Sequence, residues 1–266
     1  KDSHEIDVMR RAAAISAAAH RRAMAAARPG AFEYEVEAEL LHEFRRQGSP
    51  FPAYGSIVAS GANACVLHYV ENDRRMADGE LLLIDAGCEL EGYASDITRS
   101  FPVNGRFSGP QRDVYALVLA AQAAAIATIR PGASFQAPHD AAVAVLAQGL
   151  VDLKLLAGSV DAVIESGSYK RFYMHRTSHW LGSDVHDAGE YKLGPDWRPL
   201  QPGMMLTVEP GCYIRPGDDL PEAFWNIGIR IEDDALVTES GCDIITTAAP
   251  KTIADIEALM RDSRYD

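Results

Sequence analysis

Cysteine is scarce in this chain, positive charge is in deficit, and long apolar runs are missing. Four cysteines occur in 266 residues, Cys65, Cys88, Cys212 and Cys242, far apart and without a CxxC pair. That spacing argues against a disulfide-stapled scaffold and fits a reduced, cytoplasmic setting. Lysine and arginine number 25 against 38 aspartates and glutamates, a formal net charge of −13. So acidic a chain, with no basic stripe, suits neither nucleic acid nor an anionic membrane as a partner. No stretch approaches the ~20 consecutive apolar residues of a membrane span. The opening Lys1-Asp2-Ser3-His4-Glu5 is too polar for a secretory leader. What is plentiful is hydrophobic material, 47% of the residues, enough for one large domain or two small ones. No low-complexity linker marks a boundary between two.

Residues 7–27 read as an alanine-rich helix with Ile6, Met9, Ala13 and Ala17 on one face, stopped by Arg28-Pro29-Gly30. A second helix is expected over about 33–47, and extended chain over 54–70. Leu81 to Ile84 reads as a buried strand and Tyr93 to Val103 as a second extended stretch, with Glu91-Gly92 as the turn between them. Helices return over about 111–129 and 135–151, separated by Arg130-Pro131-Gly132. Helix, Arg-Pro-Gly-Ala, helix and then extended chain therefore occurs twice. The second extended region includes Met205 to Glu209 and Ile227 to Val237. The pattern suggests an α+β domain of two pseudo-twofold halves with a site between them, although Arg-Pro-Gly is also an ordinary helix stop.

The chemistry-bearing residues sit at the ends of these strands. A two-residue turn at Glu91-Gly92 pairs Leu90 with Tyr93 and, counting back, Asp85 with Thr98. Asp96 then shares a face with Thr98. Asp85 and Asp96 become diagonal neighbours at roughly 7–8 Å, close enough to share a cation or a proton. An aspartate in a strand-end turn beside a surface aspartate is the plainer alternative. Three histidines, His175, His179 and His186, crowd into twelve residues. His175 and His179 have HxxxH spacing, but no glutamate follows the first as in a zinc-protease HExxH helix. Glu209 ends a strand before Pro210. Alternation along Ile227 to Asp233 puts three isoleucines on one face and Gly228, Arg230 and Glu232 on the other, with open space expected at Gly228. Two aspartates, two glutamates and a histidine at strand ends suit Mn²⁺, Co²⁺ or Zn²⁺. Two cations about 3.5–4 Å apart could then activate a water without a serine or cysteine nucleophile.

Six segments carry a resemblance. Leu83-Ile84-Asp85-Ala86-Gly87, Ser95-Asp96-Ile97-Thr98-Arg99-Ser100-Phe101-Pro102, Ser178-His179-Trp180-Leu181-Gly182, Val185-His186-Asp187, Thr207-Val208-Glu209-Pro210-Gly211 and Ile229-Arg230-Ile231-Glu232-Asp233 look like aminopeptidase P. Taken in order they span essentially the whole chain. That metallopeptidase group has the pita-bread fold, a curved antiparallel sheet covered by helices. The resemblance implies five metal ligands, Asp85, Asp96, His179, Glu209 and Glu232, around two divalent ions. Mn²⁺ is the first choice, bridged by Asp96, Glu232 and a hydroxide. It also implies that Glu209 handles the proton of the nucleophilic water and that His68 lies near the scissile peptide. His175 and His186 would hold the substrate, with Tyr213 and Arg230 around its proline end. The implied reaction is removal of an N-terminal residue that precedes proline, on peptide substrates, in a catalytic unit over residues 1–266 that is compatible with a homo-oligomer. Two departures stand out. Arg176-Thr177 replaces the Gly-Leu that many relatives carry between two of the histidines, and the usual N-terminal domain is not part of this sequence. Prolidase and methionine aminopeptidase share the ligand pattern. Non-catalytic binding proteins and the metal-free creatinase also use the fold.

Overall fold

The computed structural model describes residues 1–263. Helix α1 (Ser3–Ala26) begins earlier than the apolar periodicity indicates, because Asp2 caps it. The Asp2 carboxylate accepts from the backbone N–H groups of His4 and Glu5, and Glu5 accepts from Asp2 N, which completes a capping box. Helix α2 (Glu33–Arg46) packs against it. Next come β1 (Phe51–Pro52) and β2 (Ile57–Ser60). A 3-10 turn over Gly61–Cys65 then interrupts the extended chain expected for 54–70. Strand β3 (Leu81–Asp85) is followed by the short β4 (Cys88–Leu90) and β5 (Tyr93–Ala94), and by β6 (Thr98–Pro102). Helices α3 (Gly109–Thr128), α4 (Ala137–Asp152) and α5 (Val160–Ser166) follow. The second half closes with β7 (Lys192–Leu193), β8 (Asp196–Trp197), β9 (Met205–Val208), β10 (Gly211–Ile214), β11 (Ile227–Arg230), β12 (Asp233–Val237), β13 (Cys242–Ile244) and α6 (Ile253–Asp262).

All strand pairings are antiparallel, in the orders β2-β3-β6, β1-β4-β5, β9-β12-β13, β10-β11 and β7-β8. The turn at Glu91-Gly92 forms as expected, both residues having positive φ (51° and 82°), and it sets the register Leu90↔Tyr93 and Asp85↔Thr98. The two long extended stretches are each broken once, at 95–97 and at 231–232. At each break the chain leaves one strand partner for another, and each break carries an acidic residue, Asp96 or Glu232. One apolar core runs through both halves, from Val8 on α1 to Met260 on α6.

The twofold pattern is real in backbone hydrogen bonds. Gly30 N donates to Met76 O and Met76 N returns to Ala31 O, both at 2.9 Å. In the second half Gly132 N donates to Leu200 O and Leu200 N returns to Ala133 O, both at 2.8 Å. Val103 N bonds Glu80 O just as Val237 N bonds Met204 O, each at 2.9 Å. Counting along the strands from these anchors makes Asp85 the counterpart of Glu209, and Thr98 the counterpart of Glu232. The helices repeat as well. His20 of α1 bonds Ala86 O at 2.9 Å. Gln122 of α3 donates to Val208 O and Ile231 O, both at 3.2 Å. One buried polar side chain per half thus holds the backbone beside an acidic strand end, where an unpaired carbonyl would otherwise be costly.

Candidate metal centre and active-site cavity

The strand ends bring the acids together. Asp85 closes β3, Asp96 lies in the first break, Glu209 follows β9 and Glu232 lies in the second break. His179 comes from a segment that runs beside β9. Glu209 N donates to Thr177 O at 2.8 Å, Thr207 N to His179 O at 3.0 Å and Leu181 N to Met205 O at 3.1 Å. Asp96, His179 and Glu232 each present a ligand atom, all within 4.8 Å of one another. His179 Nε2 is 3.4 Å from Asp96 Oδ2 and 3.5 Å from Glu209 Oε1. Asp85 joins the group through Tyr54, whose hydroxyl lies 2.6 Å from Asp85 Oδ1 and 2.5 Å from Asp96 Oδ1.

These contacts test whether the residues fit a metal. The single Tyr54 O–H is shared between two carboxylates and cannot satisfy both fully. His179 Nδ1 donates to Trp180 O at 3.0 Å, which turns the Nε2 lone pair toward Asp96 and Glu209. A lone pair facing two acids is tolerable only with a proton or a cation between them. Protonation is the metal-free remedy. Burial alone would lower the His179 pKa, but Asp96 and Glu209 outweigh it and raise it to about 9. Burial, with Asp96 and Asp85 as neighbours, lifts Glu209 to about 7 against the pull of His179 and Arg230. Burial and then Asp96 hold Glu232 well above the carboxylate range, and burial also raises Asp96. Crowded acids with raised pKa values and an imidazole locked in the ligating tautomer fit a divalent cation site.

Counter-charge is supplied from behind. Arg230 is 3% exposed. Its Nη2 donates to Asp85 Oδ2 at 2.6 Å, its Nη1 to the Tyr213 hydroxyl at 2.9 Å and its Nε to Thr98 Oγ1 at 3.1 Å. Thr98 in turn donates to Glu232 Oε2 at 2.5 Å, so the counterparts in the two halves touch. Gly228 is not beside open space. A Cβ there would meet Ala64 O at 2.2 Å, so this glycine lets the 3-10 turn press against β11.

In front of the acids is a cavity of about 690 Å³ lined by His68, Phe135, His175, Arg176, Ser178, His179, His186, Tyr191, Lys192, Trp197 and Glu209. The four expected histidines therefore share it. The His186 ring meets the His179 ring edge-on, centroids 4.5 Å apart. His175 Nδ1 donates to Arg176 O at 2.8 Å, so Nε2 accepts from the Tyr213 hydroxyl, also at 2.8 Å. Burial, reinforced by Arg230, lowers the His175 pKa to about 3 and keeps it neutral. Tyr213 and Arg230 do not line this cavity among the described residues. Tyr213 touches the lining residue His175, and Arg230 in turn donates to Tyr213 and to Asp85. Tyr54 and Asp234, whose carboxylate accepts from Asp96 N at 3.1 Å, are site residues that the sequence did not announce, and Thr98, expected only as the partner of Asp85, also bonds Glu232. Tyr54 follows Phe51-Pro52-Ala53 in an ordinary-looking bend, and no spacing marks it.

The profile described as metallopeptidase family M24 matches residues 7–239. The chain is 55% identical over 261 residues to the Xaa-Pro aminopeptidase of Haemophilus influenzae, covering 98% of this chain and 60% of that protein. It is 51% identical over 265 residues to the Xaa-Pro aminopeptidase of Escherichia coli, covering 99% and 60%. The solved structure of Pseudomonas aeruginosa aminopeptidase PepP superposes with a TM-score of 0.99 at 56% identity, over all of this chain and 60% of that one. The chain thus spans about 60% of the length of these relatives. Its architecture is that of the pita-bread aminopeptidases, and no helix among the described residues is long and apolar enough to cross a membrane. The chain belongs to metallopeptidase family M24.

Proposed function

We propose that residues 1–266 form the catalytic unit of an aminopeptidase that hydrolyses the bond between an N-terminal residue and a following proline. The observation that carries this reading is the convergence of Asp96, His179 and Glu232, with Asp85 and Glu209 tied to them, beside a cavity that His179 and Glu209 line together with three further histidines. The Xaa-Pro aminopeptidases it resembles supply the substrate class. Asp85, Asp96, His179, Glu209 and Glu232 would hold two divalent cations, Mn²⁺ in preference to Co²⁺ or Zn²⁺. When bound, such ions supply Lewis acidity toward the scissile carbonyl and lower the pKa of an attacking water.

The chain's own groups do the rest. Glu209 Oε2 lies 3.8 Å from His175 Nδ1 and lines the cavity, which supports a role for Glu209 in taking and returning the water's proton. His175 and His186 present imidazole edges to the bound peptide, and His68 faces them from the exposed loop after the 3-10 turn. Tyr213 and Arg230 act from behind, fixing His175 and Asp85. Four free cysteines suit a reducing compartment, the cytoplasm.

The test is release of the first residue from Xaa-Pro-Xaa peptides, followed by mass spectrometry with and without Mn²⁺. Cleavage that depends on the ion is expected. Failure to cleave any such peptide with any divalent ion overturns the reading. A rate confined to Xaa-Pro dipeptides would make the protein a prolidase instead.

A further inference from the structure

The cavity mouth carries two cations that the proposed mechanism does not use. Strands β7 and β8 form a hairpin in which Lys192 stands directly opposite Trp197. Lys192 Nζ lies over the Trp197 ring, 4.6 Å from its centroid, and the Arg176 guanidinium lies over the same ring at 4.5 Å. Arg176 is held in place by a hydrogen bond to the Gln136 side-chain carbonyl. Neither cation has a carboxylate within ion-pair distance among the described residues. Both are exposed, and both line the cavity together with His175 and Glu209.

In a chain of net charge −13, two positive side chains stacked on one indole and left without acidic partners are a conspicuous allocation. The indole pre-orders both, so less side-chain entropy is lost when a ligand binds them. The aromatic wall behind is closely packed: Phe135 sits against Trp180 (4.5 Å), Tyr191 (4.9 Å) and Trp197 (6.3 Å). An aminopeptidase must sink its substrate's amino end toward the buried acids. The rest of the peptide then leads outward, past the rim.

We propose that Arg176 and Lys192 form a carboxylate-recognition rim that favours peptides carrying a negative group downstream of the proline. This rests on the proposed aminopeptidase activity. The carboxylate can be the C-terminus of a short peptide or an acidic side chain of a longer one.

Two pairs of substrates separate these sources: Ala-Pro-Ala as free acid or amide, and Ala-Pro-Ala-Glu-amide against Ala-Pro-Ala-Gln-amide. The expected kcat/KM ratio is about fivefold in favour of the negative member of at least one pair. That is the size expected from two exposed ion pairs, and it should shrink in high salt. The double variant Arg176→Gln/Lys192→Gln should bring the ratio to about one, and Arg176→Lys/Lys192→Arg should restore it. A ratio near one in both pairs for the unsubstituted protein, or a preference untouched by the double Gln variant, overturns the proposal. Calorimetric binding of a tripeptide analogue with a reduced Ala-Pro bond, as acid and as amide, reads the rim without turnover. If no Xaa-Pro peptide is cleaved, the activity assignment falls, and equal binding of the two analogues overturns the rim while a difference removed by the double Gln variant supports it.

Discussion

Arg230 Nη2 donates to Asp85 Oδ2 at 2.6 Å, which places one buried guanidinium directly against an acid of the candidate metal centre. Arg230 comes from β11 and Asp85 from β3, so the pair joins the two halves of the fold across the site. Breaking a buried pair by removing one partner costs about 3–5 kcal/mol, because the other charge stays buried alone.

Arg230→Met should therefore cost about 3–5 kcal/mol in the metal-free protein and clearly less with Mn²⁺ bound, since a cation can take over Asp85. Urea unfolding with and without the ion measures this. An equal loss in both states would mean that Asp85 does not face the cation.

Asp96 is one corner of the triad whose ligand atoms lie within 4.8 Å. Asp96→Ala should abolish hydrolysis and lower the metal content. An ion that binds only the folded state stabilises it, by about 2.7 kcal/mol at a hundredfold excess over Kd. Chelation should accordingly lower the thermal midpoint and Mn²⁺ restore it, and the variant should lose most of that response. Two bound ions and full activity in the variant would refute the ligand assignment.

Glu33, fully buried at the start of α2, fixes the loop that carries His68. Its carboxylate accepts from Ser60 N, Ser60 Oγ and the Tyr69 hydroxyl at 2.7 Å, and from Arg74 N at 2.9 Å. Glu33→Ala leaves these buried donors without a partner and should cost about 3 kcal/mol. Amide hydrogen exchange should speed up over 60–74 before other regions. Unchanged protection there would show that the loop holds itself.

His20 is buried, with its Nε2 against Ala86 O and its Nδ1 without a partner. Burial, aided by Arg99, lowers its pKa from 6.5 to about 4. The unfolded chain therefore binds a proton that the folded protein refuses between these values. This stability is fully present above about pH 6.5 and is lost as pH falls toward about 4, a loss on the order of 3 kcal/mol for one site. Chemical unfolding across this range should show a shallower decline for His20→Gln than for the unsubstituted protein. Parallel slopes would contradict the assignment.

Much of this protein is legible locally. The turn at Glu91-Gly92 dictates which residue faces Asp85, because a two-residue hairpin leaves one register, and Thr98 stands there in the structure. The two Arg-Pro-Gly-Ala stops announce a duplicated fold, and their backbone bonds repeat in detail. The four expected helices lie close to where alanine-rich and amphipathic periodicity puts them, apart from the start of α1, which a polar cap decides rather than the apolar face, whereas α5 and α6 are not among those expected.

Periodicity and turn chemistry report on neighbours within a few residues, so the sequence by itself determined the hairpin register, the helix stops, the doubled plan and the identity of the acids at the strand ends. Only the tertiary structure decided that Glu232 receives the Thr98 hydroxyl from 134 positions away, that Tyr54 sits between Asp85 and Asp96, and that Gly228 is filled by Ala64. It also decided that Arg230 stands behind the cavity instead of lining it. Those relations depend on how two halves close on each other. That closure is set by the packing of one shared core, which no local pattern of residues specifies.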